Sequence, residues 1–343
     1  MLVRGASKAA SGLGISPLIV GLTVVAFGTS APELAVSIGG AISGQADIAL
    51  GNVVGSNIFN VLFILGLSAI IVPLSVSHQI IRFDVPLMIT VSVAVILLSI
   101  DQVINRFDGL LLIAGLIFYI GILVVFSLRA HSDKKESDQK IQADEHSKDQ
   151  VNWLLNISLV VIGLVLLVLG SRWFVSGAVS FAGYLGISEL IVGLTIVAAG
   201  TSMPEVVTSV IAAIRGERDI AVGNVVGSNI FNILGVLGIS SILAPSGISV
   251  SEPIMGFDIP LMIAVAIACL PIFFTNGTIS RWEGALFLGY YLAYTSYLVF
   301  NATQHELLPI FNTVMLYFII PITVVTIIVV VFQEFKGKSK NTT

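Results

Sequence analysis

The chain has 343 residues, of which 56% are hydrophobic and only 10% are charged, and its mean hydropathy is +1.02. Soluble domains carry about 25% charged residues, so this composition excludes a soluble enzyme, a nucleic-acid-binding protein and a disordered chain. The net charge of −4 gives no electrostatic reason to expect a polyanionic partner. A single cysteine, Cys269, excludes an intramolecular disulfide and a CxxC metal site. The sequence predicts a polytopic protein whose main partner is the lipid bilayer.

Ten long apolar runs follow a short apolar segment at roughly 1–14. A transmembrane helix needs about 20 mostly apolar residues, whereas a membrane β-barrel would show alternating segments of about ten residues. The runs therefore predict an all-α membrane protein. The predicted spans lie at roughly 16–42, 47–72, 84–100, 107–128, 152–182, 188–214, 219–244, 257–275, 282–300 and 308–332.

The same unit occurs twice in the sequence. GLTVVAFGTSAPE at Gly21–Glu33 recurs as GLTIVAAGTSMPE at Gly193–Glu205, and GNVVGSNIFN at Gly51–Asn60 recurs unchanged at Gly223–Asn232. Both pairs are related by a shift of 172 residues, and 30 of the 46 residues from Gly21 to Gly66 match their partners. The chain is therefore an internal duplication.

Each half of the duplication carries five predicted helices, counting the short first one. Because an odd number of crossings inverts the second half, the sequence predicts an inverted repeat, which many secondary transporters use. The predicted fold is an all-α membrane protein with two inverted five-helix repeats (ten core helices) and a C-terminal eleventh helix. The predicted boundaries are 1–128 for the first repeat, 129–151 for a charged linker, 152–303 for the second repeat, and 304–343 for the extra helix and a basic tail.

Positively charged residues predict which face lies in the cytoplasm. If the linker is cytoplasmic, its five basic residues, the tail lysines, Arg82, Arg215, Arg218 and Arg281 all lie on that side, and Arg106 lies in an outside loop. This imbalance agrees with the positive-inside rule. We therefore expect a plasma (inner) membrane protein with a cytoplasmic linker and C-terminus.

The first helix is shorter than its counterpart in the second half. Met1 aligns with Trp173, so about 20 residues that would match Asn152–Arg172 are missing before it. A helix of this length is too short to cross the bilayer alone. We expect a truncated first helix that results from an internal start, with a naturally short helix as the alternative.

Two glutamates, Glu33 and Glu205, lie in the middle of apolar runs. An ionisable residue at the bilayer centre costs roughly 2.5–3.5 kcal/mol on insertion scales, so a functional role is expected; the alternative is a protonated structural carboxyl. Thr29 and Ser30 precede Glu33 by four and three residues and share its helix face. Pro32 lacks an N–H group, which predicts a helix break that frees backbone carbonyls.

The same polar residues recur in the second repeat as Thr201 and Ser202 before Glu205. The second motif adds hydroxyl and amide oxygens, because Ser56 and Asn60 are four residues apart on one helix face. Helix packing through small residues is the alternative explanation of this motif, since Gly51 and Gly55 form a GxxxG pattern. The equivalent residues of the second repeat are Ser228 and Asn232, and Asn57 and Asn229 are expected to bind freed backbone groups.

The chemistry of these side chains predicts a cation site without a cofactor. Calcium takes six to eight oxygen ligands, including carboxylates and carbonyls. Glu33 and Glu205 would balance one divalent cation, and the four histidines of the chain fall in predicted loops. If the same oxygens bound several monovalent ions instead, exchange would follow from competition.

At these motifs the chain resembles the cation/calcium exchanger superfamily, in particular its prokaryotic sodium/calcium exchanger branch. The resemblance extends over nearly the whole chain. It implies an alternating-access antiporter in which Glu33 and Glu205 bind both calcium and sodium and the first helix of each half slides against the core. The other positions that it implies around the ions are Ala26, Thr29, Ser30, Ser56, Asn60, Ala198, Thr201, Ser202 and Ser228.

One position departs from the family pattern. Sodium/calcium members have an aspartate where this chain has Asn232, so the predicted site has two central carboxylates rather than three. The expected function is calcium export in exchange for sodium, with a proton as the alternative counter-ion and no obligate protein partner. A cation channel is less favoured, because inverted repeats with an occluded mid-membrane site are typical of transporters. An intramembrane hydrolase is less favoured, because a serine such as Ser30 or Ser202 lacks a membrane-embedded His or Lys base.

Overall fold

The computed structural model describes residues 1–13, 15–138, 153–184, 198–275 and 277–340, which are helical almost throughout. The α-helices are Leu2–Leu13, Pro17–Val20, Ala26–Thr29, Ala31–Ile42, Ala46–Phe59, Gly66–Ile71, Val85–Leu98, Arg106–Asp138, Trp153–Tyr184, Ala198–Thr201, Met203–Ile214, Arg218–Phe231, Gly238–Leu243, Ile259–Phe274, Arg281–Ala302, Leu308–Val314 and Ile320–Lys340. The π-helical segments are Gly21–Val25, Asn60–Leu65, Ile80–Asp84, Asn232–Leu237, Ile254–Asp258 and Met315–Ile319. The strands are Leu74–Ser75, Val103–Ile104, Ile248–Ser249 and Thr278–Ile279.

Continuous helices long and apolar enough to cross a membrane number six within the described residues, and a bent helix pair makes a seventh. The all-α membrane fold predicted from the sequence is therefore confirmed. Residues 188–197 of one predicted span lie outside the described residues. The six helices are Ile48–Ile71, Ile80–Leu98, Arg106–Ser127, Arg218–Leu243, Ile254–Phe274 and Leu308–Val330.

The two segments that carry the glutamates are interrupted where the sequence predicts a break. The first broken span consists of Pro17–Thr29 and Ala31–Ile42, which meet at an angle of 46°. Ser30 at the junction has φ −80° and ψ 10°, outside the helical region, and Pro32 in the next turn has no N–H to donate. The second broken span is described as Ala198–Thr201 and Met203–Ile214. Its junction residue, Ser202, has φ −86° and ψ 10°.

Two helices with the GNVVGSNIFN motif form the centre of the molecule. We call Ala46–Phe59 and Arg218–Phe231 the first and second asparagine helices. The first broken span packs closely on the second asparagine helix, because a Cβ atom added at Gly227 would lie 2.7 Å from the backbone of Leu22. Glycine in this motif thus permits close helix packing. In the first asparagine helix the equivalent contacts would involve residues 190–194, which lie outside the described residues.

Short strands tie the two halves together crosswise. Leu74–Ser75 pairs antiparallel with Thr278–Ile279, and Val103–Ile104 pairs antiparallel with Ile248–Ser249. In each half one strand precedes and the other follows the span after the asparagine helix, so the two strands lie at opposite ends of that span. Each preceding strand pairs with the following strand of the other half. The two halves therefore run in opposite directions, which confirms the predicted inverted repeat.

A helix runs into the predicted linker, whose start at residue 129 stays a prediction. The helix that contains the fourth long span continues to Asp138. Its last turns contain alanine, lysine and glutamate, which are strong helix formers and extend a helix beyond its apolar part. Residues 139–151 of the predicted linker lie outside the described residues.

The first helices of the two halves form a pair that packs at the edge of the main core, which Val3 of the first helix also contacts. Leu2–Leu13 lies along Trp153–Tyr184 so closely that a Cβ atom at Gly163 would be 2.7 Å from the backbone nitrogen of Leu2. Four buried side chains form a small apolar cluster here, separate from the large cluster around the asparagine helices. These side chains are Leu2, Ala6, Val20 and Val25.

Replacing Gly163 with alanine is expected to destabilise this helix pair. The added methyl group meets the backbone of Leu2, which is not able to rotate away, and overpacking of this kind costs about 1–3 kcal/mol. Thermal unfolding in detergent would measure the effect as a lower Tm. Gly170→Ala is the matched control, because Gly170 is exposed in the same helix and a Cβ atom there would have no neighbour within 4 Å. An equal Tm for both variants would contradict the close packing at Gly163.

Candidate cation site

Two buried carboxylates occupy equivalent positions at the helix breaks. Glu33 and Glu205 each lie in the first turn of the helix that follows the break, and both side chains are fully buried. The first turn of a helix presents unpaired N–H groups and the positive end of the helix dipole. The breaks therefore place each negative group where the backbone stabilises it within an apolar interior.

The serines at the two breaks cross-link the two glutamates. Ser30 donates to Oε1 of Glu205 at 3.0 Å, and Ser202 donates to Oε1 of Glu33 at 2.7 Å. Each serine thus belongs to one repeat and orients the carboxylate of the other. The crossed hydrogen bonds bring both breaks to one place in the molecule and occupy one oxygen of each carboxylate.

Five buried oxygen atoms of the motif residues have no hydrogen-bond partner within the described part of the chain. We call them the open oxygens. They are Oε2 of Glu33, Oε2 of Glu205, Oδ1 of Asn60, Oδ1 of Asn232 and Oγ of Ser228. Buried polar atoms are nearly always paired, and an unpaired carboxylate oxygen is especially costly. When both glutamates are ionised, four of the five atoms are able only to accept hydrogen bonds, and oxygen atoms of this kind are the ligands that calcium prefers.

Two further asparagines hold the backbone of the glutamates. Asn52 donates to the carbonyl oxygen of Glu33 at 3.1 Å and to Ser37 at 2.9 Å. In the second repeat Asn224 donates to the carbonyl oxygen of Glu205 at 3.5 Å and to Ser209 at 2.9 Å. These contacts hold the glutamates through their backbone carbonyls and leave the carboxylates free of the asparagines.

The threonines of the first motif contact these asparagines across the two repeats. Thr29 donates to Oδ1 of Asn224 at 3.1 Å, and Thr201 donates to Oδ1 of Asn52 at 3.4 Å. Both threonines therefore brace the broken span of one half against the asparagine helix of the other half. Their predicted role as ion ligands stays a prediction.

The remaining predicted ligands differ in their surroundings. Ser56 is buried, and its Oγ lies 3.2 Å from Oγ of Ser202, beside the Glu33 carboxylate. The carbonyl oxygen of Ala26 already accepts hydrogen bonds from the backbone N–H of Ser30 at 3.0 Å and from the hydroxyl of Thr29 at 3.2 Å. Ala198 begins the helix that precedes Ser202, directly after residues outside the described part. As ion ligands, these residues also stay predictions.

The sequence analysis missed Ser37 and Ser209, which support the bracing asparagines. A usable signal exists, because each serine follows its glutamate by four residues in both repeats. It also gave no role to Asp84 and Asp258, whose carboxylates accept hydrogen bonds from Tyr119 at 3.1 Å and Tyr294 at 3.0 Å. These side chains are also related by the repeat.

The carboxylates of the site number two. Among the described residues no group of three or more His, Cys, Asp or Glu side chains is close enough to hold a metal ion. The other unpaired buried oxygens of the motif residues belong to amide and hydroxyl groups, and Oδ1 of Asn232 is one of them. Such a site carries two negative charges when both glutamates are ionised.

Inverted repeats, broken spans and buried polar groups where the spans break are the features of secondary transporters, and this protein has all three. The family described as "Sodium/calcium exchanger protein" matches residues 1–125 and 155–300. The chain belongs to the sodium/calcium exchanger family, as its motifs predict.

Several known proteins are similar over most of their length. CaxA of Alkalimonas amylolytica is 39% identical over 88% of this chain and 93% of its own. The sodium/calcium exchanger MaX1 of Methanosarcina acetivorans is 34% identical over 85% of this chain and 91% of its own. A solved structure of the sodium-calcium exchanger NCX_Mj, soaked with Na⁺ and Ca²⁺, superimposes with a TM-score of 0.71 at 29% identity, over 85% of this chain and 90% of that one.

Removing either cross-linking hydroxyl is expected to weaken cation binding. In Ser30→Ala or Ser202→Ala a carboxylate loses the donor that orients it, and loss of such a partner typically costs about 10–100-fold in metal affinity. Equilibrium binding of radioactive Ca²⁺ to the purified protein would measure the change. Ser92→Ala is the matched control, because the Ser92 hydroxyl is buried and bonds only the carbonyl of Met88 in its own helix. Equal affinities in all three variants would refute the orienting role.

Proposed function

We propose that this protein is an antiporter that exports calcium across the plasma membrane in exchange for sodium. The observation that carries the proposal is the set of open oxygens, above all Oε2 of Glu33 and Oε2 of Glu205. Two carboxylates neutralise one Ca²⁺ ion, and neutral amide oxygens complete a coordination shell of the kind that calcium takes. MaX1 and NCX_Mj are both sodium/calcium exchangers, and their similarity to this chain supports calcium and sodium as the transported ions.

Burial of the two glutamates explains why transport would be an exchange. If Ca²⁺ left without replacement, two negative charges would remain inside the apolar core, which is strongly unfavourable. Sodium ions at the same oxygens restore neutrality and allow the loaded site to change its access. The protein therefore carries cations in both directions and does not return with a charged site.

Access to the site would change through the separate helix pair. Leu2–Leu13 and Trp153–Tyr184 pack on each other and on both broken spans, with the small apolar cluster at the contact with the first one. Contacts between smooth apolar surfaces allow helices to slide at low cost. The large core with the asparagine helices would stay in place while this pair moves.

A proton is the alternative counter-ion, since protonation of Glu33 and Glu205 also removes their charge. Asn232 favours this alternative more than an aspartate would, because it leaves two groups to neutralise. Proteoliposomes loaded with Ca²⁺ and exposed to either a sodium gradient or a pH gradient separate the two cases. Flux driven by sodium supports the proposal, and flux driven only by protons replaces the counter-ion. Calcium flux without any counter-ion would indicate a channel.

Replacing either glutamate with glutamine is expected to abolish calcium binding and exchange. Glutamine preserves the size of the side chain but removes one of two negative charges, so Ca²⁺ is no longer neutralised. Ca²⁺ uptake by proteoliposomes and equilibrium Ca²⁺ binding would test Glu33→Gln and Glu205→Gln. Glu252→Gln is the matched control, because Glu252 is exposed at the start of a helical segment and no described contact joins it to the site. Normal exchange by either site variant would overturn the site assignment.

The proposed orientation places the linker and C-terminus in the cytoplasm. Single cysteines at Ser137 and Asp101 test it, because the two positions lie on opposite faces in the inverted arrangement, Asp101 is exposed, and the native Cys269 is buried. In intact cells a membrane-impermeant maleimide should label Asp101→Cys and not Ser137→Cys. In inside-out vesicles the labelling should reverse. Labelling of Ser137→Cys in intact cells would invert the proposed topology.

A further inference from the structure

Four asparagine side chains form a hydrogen-bonded chain between the two asparagine helices and the π-helical segments that follow them, in the order Asn60, Asn229, Asn57, Asn232; we call it the asparagine chain. Asn57 donates to the carbonyl oxygen of Asn229 at 3.2 Å, and Asn229 donates to the carbonyl oxygen of Asn57 at 3.3 Å. Asn232 donates to Oδ1 of Asn57 at 3.1 Å, and Asn60 donates to Oδ1 of Asn229 at 2.9 Å. All four side chains are at most 2% exposed. The asparagine chain is therefore buried in the centre of the protein and joins the two repeats.

The orientation of the first two amides is fixed by groups that only accept hydrogen bonds. The amide nitrogen of Asn57 faces a backbone carbonyl and, at 3.7 Å, the sulfur of Met262. The amide nitrogen of Asn229 likewise faces a backbone carbonyl and, at 3.5 Å, the sulfur of Met88. A flip of either amide would place its oxygen against the carbonyl oxygen. Oδ1 of each residue must therefore point away from the carbonyl and toward its other neighbour.

That neighbour is one of the asparagines with an open oxygen. Oδ1 of Asn57 accepts a hydrogen bond from the amide nitrogen of Asn232. This contact turns Oδ1 of Asn232 away from Asn57. Oδ1 of Asn229 does the same for Asn60. A rotated amide would present N–H groups to a cation, which repels them. A backbone carbonyl thus orients the amide of Asn57 or Asn229, and that amide orients the ligand amide of the opposite repeat.

We propose that Asn57 and Asn229 are positioning residues that set the cation affinity of the site by keeping the Asn232 and Asn60 amide oxygens aimed at the ion. This inference rests on the proposed cation site. It assigns each positioning residue to one ligand: Asn57 acts through Asn232, and Asn229 acts through Asn60. A residue that only held the helices together would have no such preference.

Double-mutant cycles test this assignment with Ca²⁺ as the probe. Asn57→Ala is expected to weaken Ca²⁺ binding about 10-fold, the lower end for loss of a partner that orients a metal ligand. In the Asn232→Ala background the same substitution should change the affinity by less than about twofold, because the ligand that it positions is already absent. Asn229→Ala should behave in the same way in the Asn60→Ala background.

The crossed pairs provide the matched control. Alanine at Asn57 keeps the backbone carbonyl that holds Asn229, so the orientation of Asn60 survives. Asn57→Ala in the Asn60→Ala background should therefore retain its full effect, as should Asn229→Ala in the Asn232→Ala background. Additive effects in the direct pairs, or coupling of equal size in direct and crossed pairs, would overturn the proposal.

The equivalent pair of the second repeat serves where Asn57→Ala does not fold. Asn229→Ala should weaken Ca²⁺ binding in the wild-type background and change it by less than about twofold in the Asn60→Ala background. Equal factors in the two backgrounds would contradict the positioning role. The inference and the proposed function fail differently. Ca²⁺ binding that persists in Glu33→Gln refutes the cation site itself. Ca²⁺ binding that is lost in Glu33→Gln, together with additive effects of the asparagine substitutions, refutes only the positioning role of Asn57 and Asn229.

Discussion

The structure depends on the cost of keeping two carboxylates in an apolar interior. Glu33 and Glu205 are fully buried, and water is not available to solvate them. The helix breaks supply backbone N–H groups, the serines supply one hydroxyl donor each, and the open oxygens remain for a cation. Every polar contact around the site follows from this requirement. Without the breaks, the same side chains would face a continuous helix with its hydrogen bonds already made.

Support for the glutamates comes mainly from the opposite repeat. Serine and threonine side chains of each half contact the carboxylate or the bracing amide of the other half. A site built across an interface changes whenever the two elements move relative to each other, and a site built within one helix does not. Ion binding and the relative position of the broken spans are thus linked by the same hydrogen bonds.

The sequence was sufficient for the duplication, the inverted helical fold, the breaks before Glu33 and Glu205, and the set of motif residues. These features are local or repeat with a fixed shift, so periodicity and proline chemistry reveal them. The crosswise contacts were not predictable, because they depend on how two distant segments cross. Thr29 was expected beside an ion, and the structure adds its contact with Asn224. The sequence did not show that a helix runs into the linker, because apolar content marks the membrane and not the end of a helix.

The crosswise strand pairs have a consequence for how such a chain originates. Each strand of one half pairs with the non-equivalent strand of the other half, and Asn57 and Asn229 exchange the same hydrogen bond in both directions. This is the contact pattern of a two-fold symmetric dimer. One half therefore presents a self-complementary surface: a second copy, inserted upside down, would find every partner that the covalent second half now provides. Gene fusion of an antiparallel homodimer is sufficient to produce this architecture.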